Sequence, residues 1–143
     1  MQSPDFLNST AGFEEVEHTA DWAYRVWGQN LTELFIQAAK GLYAIASVQL
    51  ADDSPINCNI QLHGVDHESL LVAWLNELLY LHESEGLGFS QFEILHLDRQ
   101  NLQAKVSGAK VKNWNKLIKA VTYNNLAIQT TENGLEATLV LDV

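Results

Sequence analysis

The residues able to do chemistry in this chain are few, and most stand alone. His63 and His67 are four positions apart, the spacing that sets two imidazoles on one helix face as zinc ligands. Gly64 and Asp66 fall between them, and Asp66 has the character of a helix N-cap. The pair therefore reads as a strand-end histidine and a first-turn histidine. His82 and His96 have no partner in the pattern. Cys58 is the single cysteine. It excludes an internal disulfide and a cysteine-rich zinc site, and without a nucleophile signature around it, it reads as a small core residue. The eight glycines form neither GxGxxG nor GxxxxGK, and no GxSxG elbow occurs. None of these patterns marks a self-contained enzyme.

Two segments hold more. Lys105, Lys110, Lys112, Lys116 and Lys119 are five of the eight basic residues, with no acid among them and Trp114 in their midst. The stretch reads either as a docking patch for RNA or an acidic partner, or as a solvated loop with the exposed face of a strand. The sequence then closes on Val140-Leu141-Asp142-Val143. The Asp142 carboxylate, the backbone carbonyls and a terminal carboxylate on Val143 are hard oxygen donors, the kind Ca²⁺, Mg²⁺ or Mn²⁺ prefers. A further acid beside them in space would make a cation site.

The bulk composition narrows the function classes. Acidic residues number 18 against 8 basic ones, for a formal net charge of −10. Strong direct binding to nucleic acid is not expected, because it needs many Lys and Arg contacts to phosphate. A cation or a basic protein surface suits the balance better. With 143 residues, 47% hydrophobic and 18% charged, the chain reads as one globular domain. No apolar run approaches a membrane span, and the opening MQSPDFLNSTAG lacks a secretory pattern, so a soluble cytoplasmic protein is expected.

The elements that must position these residues follow from periodicity. Residues 1–12 read as a flexible leader and 13–143 as the domain. Phe13 to Trp27 is strand-like in its second half and stops at Gly28. Asn30 caps a helix, with Glu33 placed for a capping box, and Leu31, Leu34, Phe35, Ala38, Ala39, Leu42, Tyr43 and Ala46 keep helical spacing. Residues 47–55 read as a loop. Ile56 to His63 alternates as a half-buried strand. A second helix runs from an N-cap at Asp66 to about Ser84, with Gly86 as its stop, and its broad apolar set predicts cover on more than one side. Strand character then appears near 89–97, 101–107, 117–130 and 135–142, with Asn133-Gly134 as a hairpin turn. The order predicts an α+β fold, two helices packed on a mainly antiparallel sheet.

The string FEEVEHTAD at 13–21 resembles the opening motif of the archease family. The match continues in order through NLTELFIQAAKGLYAI, LLVAWLNELLYLHESEG, KAVTY at 119–123 and the final VLDV. The resemblance implies an archease-like single domain that is not itself a ligase. It implies an accessory protein for an RtcB-type RNA ligase, the enzyme that joins 2′,3′-cyclic phosphate or 3′-phosphate ends to 5′-hydroxyl ends in tRNA splicing and RNA repair. Such proteins promote guanylylation of the ligase histidine, support multiple turnover and broaden its nucleotide use. The family's metal site carries over to Asp21, Asp142 and Val143, with Ca²⁺ as the usual ion, in a structural role or in arranging the ligase's metals and GTP. His18 then stands either as an orienter of Asp21 or as a packing residue. The chain departs from the family at Asn124, where many members carry His, and in VKNWNKLI before it. Two other classes stay open: a general chaperone or adaptor for RNA-modifying enzymes with a structural metal, and a metal-dependent phosphohydrolase.

Overall fold

The computed structural model describes residues 10–16 and 22–143. Its elements in chain order are β1 (Gly12–Val16), β2 (Trp22–Gly28), α1 (Leu31–Ala46), β3 (Val48–Leu50), β4 (Ile56–His63), α2 (His67–Glu85), β5 (Leu87–Leu97), β6 (Asn101–Trp114), β7 (Ala120–Thr122), β8 (Gln129–Thr131) and β9 (Gly134–Asp142). The α+β class and the two helices agree with the sequence reading. The strands form two sheets rather than one. In the first, β9 is central, with β2 and then β1 on one side and β7 and β8 on the other. In the second, β6 is central, with β5 on one side and both β3 and β4 on the other. Every strand pair is antiparallel.

The helices start and stop where local chemistry dictates. The Asn30 side chain accepts the Glu33 N–H at 2.9 Å, which satisfies one of the orphan donors of α1. At α2 the capping box is complete: Asp66 accepts the Ser69 N–H at 2.8 Å, and the Ser69 hydroxyl takes the Asp66 N–H at 3.0 Å. Ser47 and Gly86 close the two helices in the left-handed region, the conformation that turns the chain out of a helix. The Lys110 ammonium donates to the Glu85 carbonyl at 2.8 Å, a cation at the negative end of α2.

Each helix touches both sheets: α1 packs on β1, β2 and β9 and also on β3 and β5, while α2 packs on β7 and on β4, β5 and β6. This explains the broad apolar set of α2, which buries Leu70, Leu71, Val72, Trp74, Leu75, Leu78, Leu79 and Leu81. Two large buried side chains have their polar atoms paired, as a low-dielectric interior favours, while the buried Tyr43 hydroxyl has no hydrogen-bond partner among the described residues. Trp74 Nε1 donates to the Phe35 carbonyl at 2.9 Å, and the Tyr24 hydroxyl to the Ala38 carbonyl at 2.7 Å. Gly108 lets β5 cross β6 closely, since a Cβ there would strike the Gly88 carbonyl oxygen.

Two expectations are corrected. The segment 47–55 is not all loop, because Val48–Leu50 pairs with the far end of β6. The segment 117–130 is not one strand. It is β7 and β8, three residues each, separated by a turn in which Leu126 N–H bonds the Tyr123 carbonyl at 2.9 Å and Asn125 sits at φ 56. Asn is the non-glycine residue best suited to that conformation, and Asn124-Asn125 is the signal that marks the break.

Candidate functional site

The far end of β9 gathers most of the described chemistry. On one flank, Leu141 is registered with Trp22 of β2. On the other, Asp142 is registered with Ala120 of β7, and its carbonyl accepts the Lys119 N–H at 2.7 Å. Asp142 is exposed, and its carboxylate takes no hydrogen bond or ion pair from the described residues. Val143 follows, 45% exposed. Among the described residues the Asp142 carboxylate therefore stands at the surface unpartnered, a hard oxygen donor of the type a divalent cation takes. Asp21 and His18 lie outside the described residues. Among the described residues no group of three His, Cys, Asp or Glu side chains converges.

The strap from β6 to β7 is fixed beside this end. The Asn115 and Lys116 N–H groups both donate to the Ala46 carbonyl, at 3.2 and 3.1 Å, so the strap supplies the partners that the last turn of α1 lacks. Trp114 Nε1 donates to the Lys116 carbonyl at 2.7 Å. The Trp114 ring stacks on His82 at 4.0 Å. Burial holds the His82 imidazolium below its ordinary pKa, partly opposed by Glu83. The Lys116 ammonium lies over the Trp22 ring, 4.0 Å from its centre, a cation–π contact. The Trp22–Lys116 and His82–Trp114 contacts are invisible in the sequence, since each joins residues more than thirty positions apart.

The five lysines do not form one patch. Lys105 lies on the outward face of β6, opposite Asn59 on β4 and Glu93 on β5. Nine residues separate it from Trp114, about 30 Å at a strand rise of about 3.3 Å per residue. Lys110 is engaged at the end of α2. Lys116, over the Trp22 ring, and Lys119, bonded to the Asp142 carbonyl, are placed beside the end of β9. A surface hollow of about 660 Å³, lined in part by Asn57, Asn59, Gln91, Glu93, Lys105 and Ser107, is on the outward face of the second sheet. His63 and His67 sit at the end of β4 and the start of α2, as the spacing argument holds, and share no ligand geometry. Cys58 is half-buried on the inward side of β4, with its thiol pushed up by burial and by Glu85.

The model of the Archease protein family (MTH1598/TM1083) matches residues 13–143. The chain belongs to the archease family. Protein archease of Saccharolobus islandicus (strain M.14.25 / Kamchatka #1) is 38% identical over 137 residues, covering 92% of this chain and 98% of the relative. Protein archease-like of Dictyostelium discoideum is 31% identical, covering 96% and 97%. Among solved structures, the solution structure of protein 1598 of Methanobacterium thermoautotrophicum superposes with a TM-score of 0.67 at 27% identity, covering 92% of this chain and 99% of that one. The crystal structure of an archease, possible chaperone, from Thermotoga maritima gives 0.68 at 24% identity and shares the fold, over 91% and 96%. The archease match spans both sheets and both helices, the β9 end included.

Proposed function

We propose that this archease is a non-catalytic activator of an RtcB-type RNA ligase in the cytoplasm, and that the end of β9 is the surface it presents to that ligase. The observation that carries the reading is the pairing of Trp22 with Leu141 in a chain of this family. In sequence Asp21 adjoins Trp22, as Asp142 adjoins Leu141. Asp21, Asp142 and the main-chain oxygens of Val143 would then serve as the donor set, with Ca²⁺ as the ion best suited to hard oxygens in flexible geometry. A cation supplies the positive charge that keeps neighbouring carboxylates from repelling one another. The ligase holds the RNA. The acidic activator meets a cleft that must be basic to hold RNA and GTP, promotes guanylylation and turnover, and broadens nucleotide use.

The test is multiple-turnover RNA joining by the cognate ligase with and without this protein. Asp142→Ala alters an exposed side chain, so the circular dichroism spectrum should be unchanged while stimulation is lost and calorimetric Ca²⁺ binding weakens. Full stimulation by Asp142→Ala would sink the proposal. Residues appended after Val143 should weaken Ca²⁺ binding as well, and unchanged affinity would remove Val143 from the site.

A second reading is an adaptor for several RNA-modifying enzymes with a purely structural ion; the Thermotoga maritima archease is called a possible chaperone. Recovery of several unrelated RNA enzymes with this protein from native lysate supports the adaptor, and recovery of one ligase supports the activator.

A further inference from the structure

The described strand edges are not alike. A sheet edge offers unpaired N–H and C=O groups to any passing strand, and proteins blunt it with shortness, charge, proline or bulges. In this fold β3, β7 and β8 are three residues long. β1 carries Glu14 and Glu15. β5 has register shifts at Phe89/Gln91 and Ile94/His96. β4 has none of these guards. It runs eight residues, INCNIQLH, without a charged side chain or a proline. Its register on β6 is unbroken from Ile56↔Gly108 to His63↔Asn101, and no described strand pairs with its other side.

We propose that β4 is a pairing edge for a second copy of this chain, in which two β4 strands run antiparallel about a two-fold axis and join two second sheets into one. This does not rest on the ligase reading, because β4 belongs to the other sheet. The strand is self-complementary. Its outward positions are Asn57, Asn59, Gln61 and His63, and its inward ones Ile56, Cys58, Ile60 and Leu62. Antiparallel self-pairing in which the paired residue numbers sum to an even value sets odd positions against odd and even against even. Amides then meet amides or imidazole, and aliphatics meet aliphatics. An amide carries both donor and acceptor, so it can bond a copy of itself. The side-chain amides of Asn57, Asn59 and Gln61 make no hydrogen bond among the described residues. Ile56, Cys58 and Leu62 are only half-covered and gain cover from the copy.

Charge selects the occupant. Two molecules of net charge −10 repel through most surfaces, and an uncharged strand facing its own copy sets no like charges opposite each other. An eight-residue edge is small beside a standard interface, so the dimer is weak and concentration-dependent.

Sedimentation velocity on the full chain, from about 1 μM to about 500 μM, tests this. The mass should double over that range. Asn59→Glu/Gln61→Glu should stay monomeric, with the carboxyl at 59 facing Lys105 within its own sheet and so tolerated by the fold. Gln91→Glu/Gln103→Glu adds the same charge to the same face away from the edge and should still dimerise. A wild type that stays monomeric throughout overturns the proposal, as does an edge variant that associates like wild type, or equal loss in both variants. Were the edge variant to unfold, amide exchange on the wild type decides. Protection of β4 that rises with concentration supports the pairing, and protection independent of concentration refutes it.

Discussion

At Asn76 one side chain does the work of a neighbouring strand. Its Nδ2 donates to the Val121 carbonyl at 3.1 Å, and its Oδ1 accepts the Val121 N–H at 2.8 Å. The amide thereby satisfies both main-chain groups of Val121, which faces helix α2 and not a strand on that side. Asn76→Ala removes both bonds and leaves those main-chain groups unpaired, at a cost of about 2–3 kcal/mol. Denaturant titration should show the loss. Because β7 leads directly from Lys119, whose N–H holds the Asp142 carbonyl, Ca²⁺ affinity should fall in the same variant. An unchanged unfolding midpoint would mean that β7 is held by its β9 pairing alone. At this scale the sequence is partly legible. Asp142 and Val143 stand out because hard donors cluster at adjacent positions. Asn76 and Lys116 do not, because an amide on a helix and a lysine in a strap acquire a role only through partners distant in the chain.

At the scale of elements, the helices and long strands are legible because they repeat. Sixteen residues of α1 show the 3.6-residue period several times over, and Asp66 and Gly86 bracket α2 with cap chemistry. β3, β7 and β8 are three residues each, too short to show a period of two, and they exist because long partners offer them a free side. The β5–β6 hairpin shows local chemistry at its sharpest. The Asp98 carboxylate accepts the Gln100 N–H at 2.9 Å and the Asn101 N–H at 2.8 Å, and pairs with His96 at 2.8 Å. The Gln100 main-chain bond, followed by His96, holds its carboxyl well below the usual carboxylate range. A depressed folded pKa means the stabilisation is complete above the unfolded value of about 3.9 and fades only as pH falls toward the folded one. Carbon-detected NMR titration should place Asp98 below the other aspartates, with the turn intact at mildly acid pH. A midpoint in the ordinary range would show that these bonds do not persist in solution.

At the scale of the molecule, the negative charge divides into parts. Some is spent internally: Arg25 joins Glu14 and Glu136 at 2.9 and 3.0 Å, lashing β1, β2 and β9 together. Most is solvated and long-range. If docking to a basic cleft uses it, the concentration of this protein needed for half-maximal ligase stimulation should rise with salt, since charges are screened beyond about 10 Å at 0.1 M ionic strength. A half-saturation point indifferent to salt would point to an apolar contact. The central place of β9 in the first sheet has a different consequence, for synthesis. Among the described strands β9 is translated after all the others, yet β2, β7 and β8 all pair with it. Residues 31–114 carry both helices and the whole second sheet, and they can begin to pack while the ribosome is still working. The β1–β2 hairpin must meanwhile wait with its inner edge bare until β9 emerges to fill the gap. Nascent chains stalled before residue 134 should therefore carry an open, pairing-competent edge, which makes this fold a natural client for co-translational chaperones.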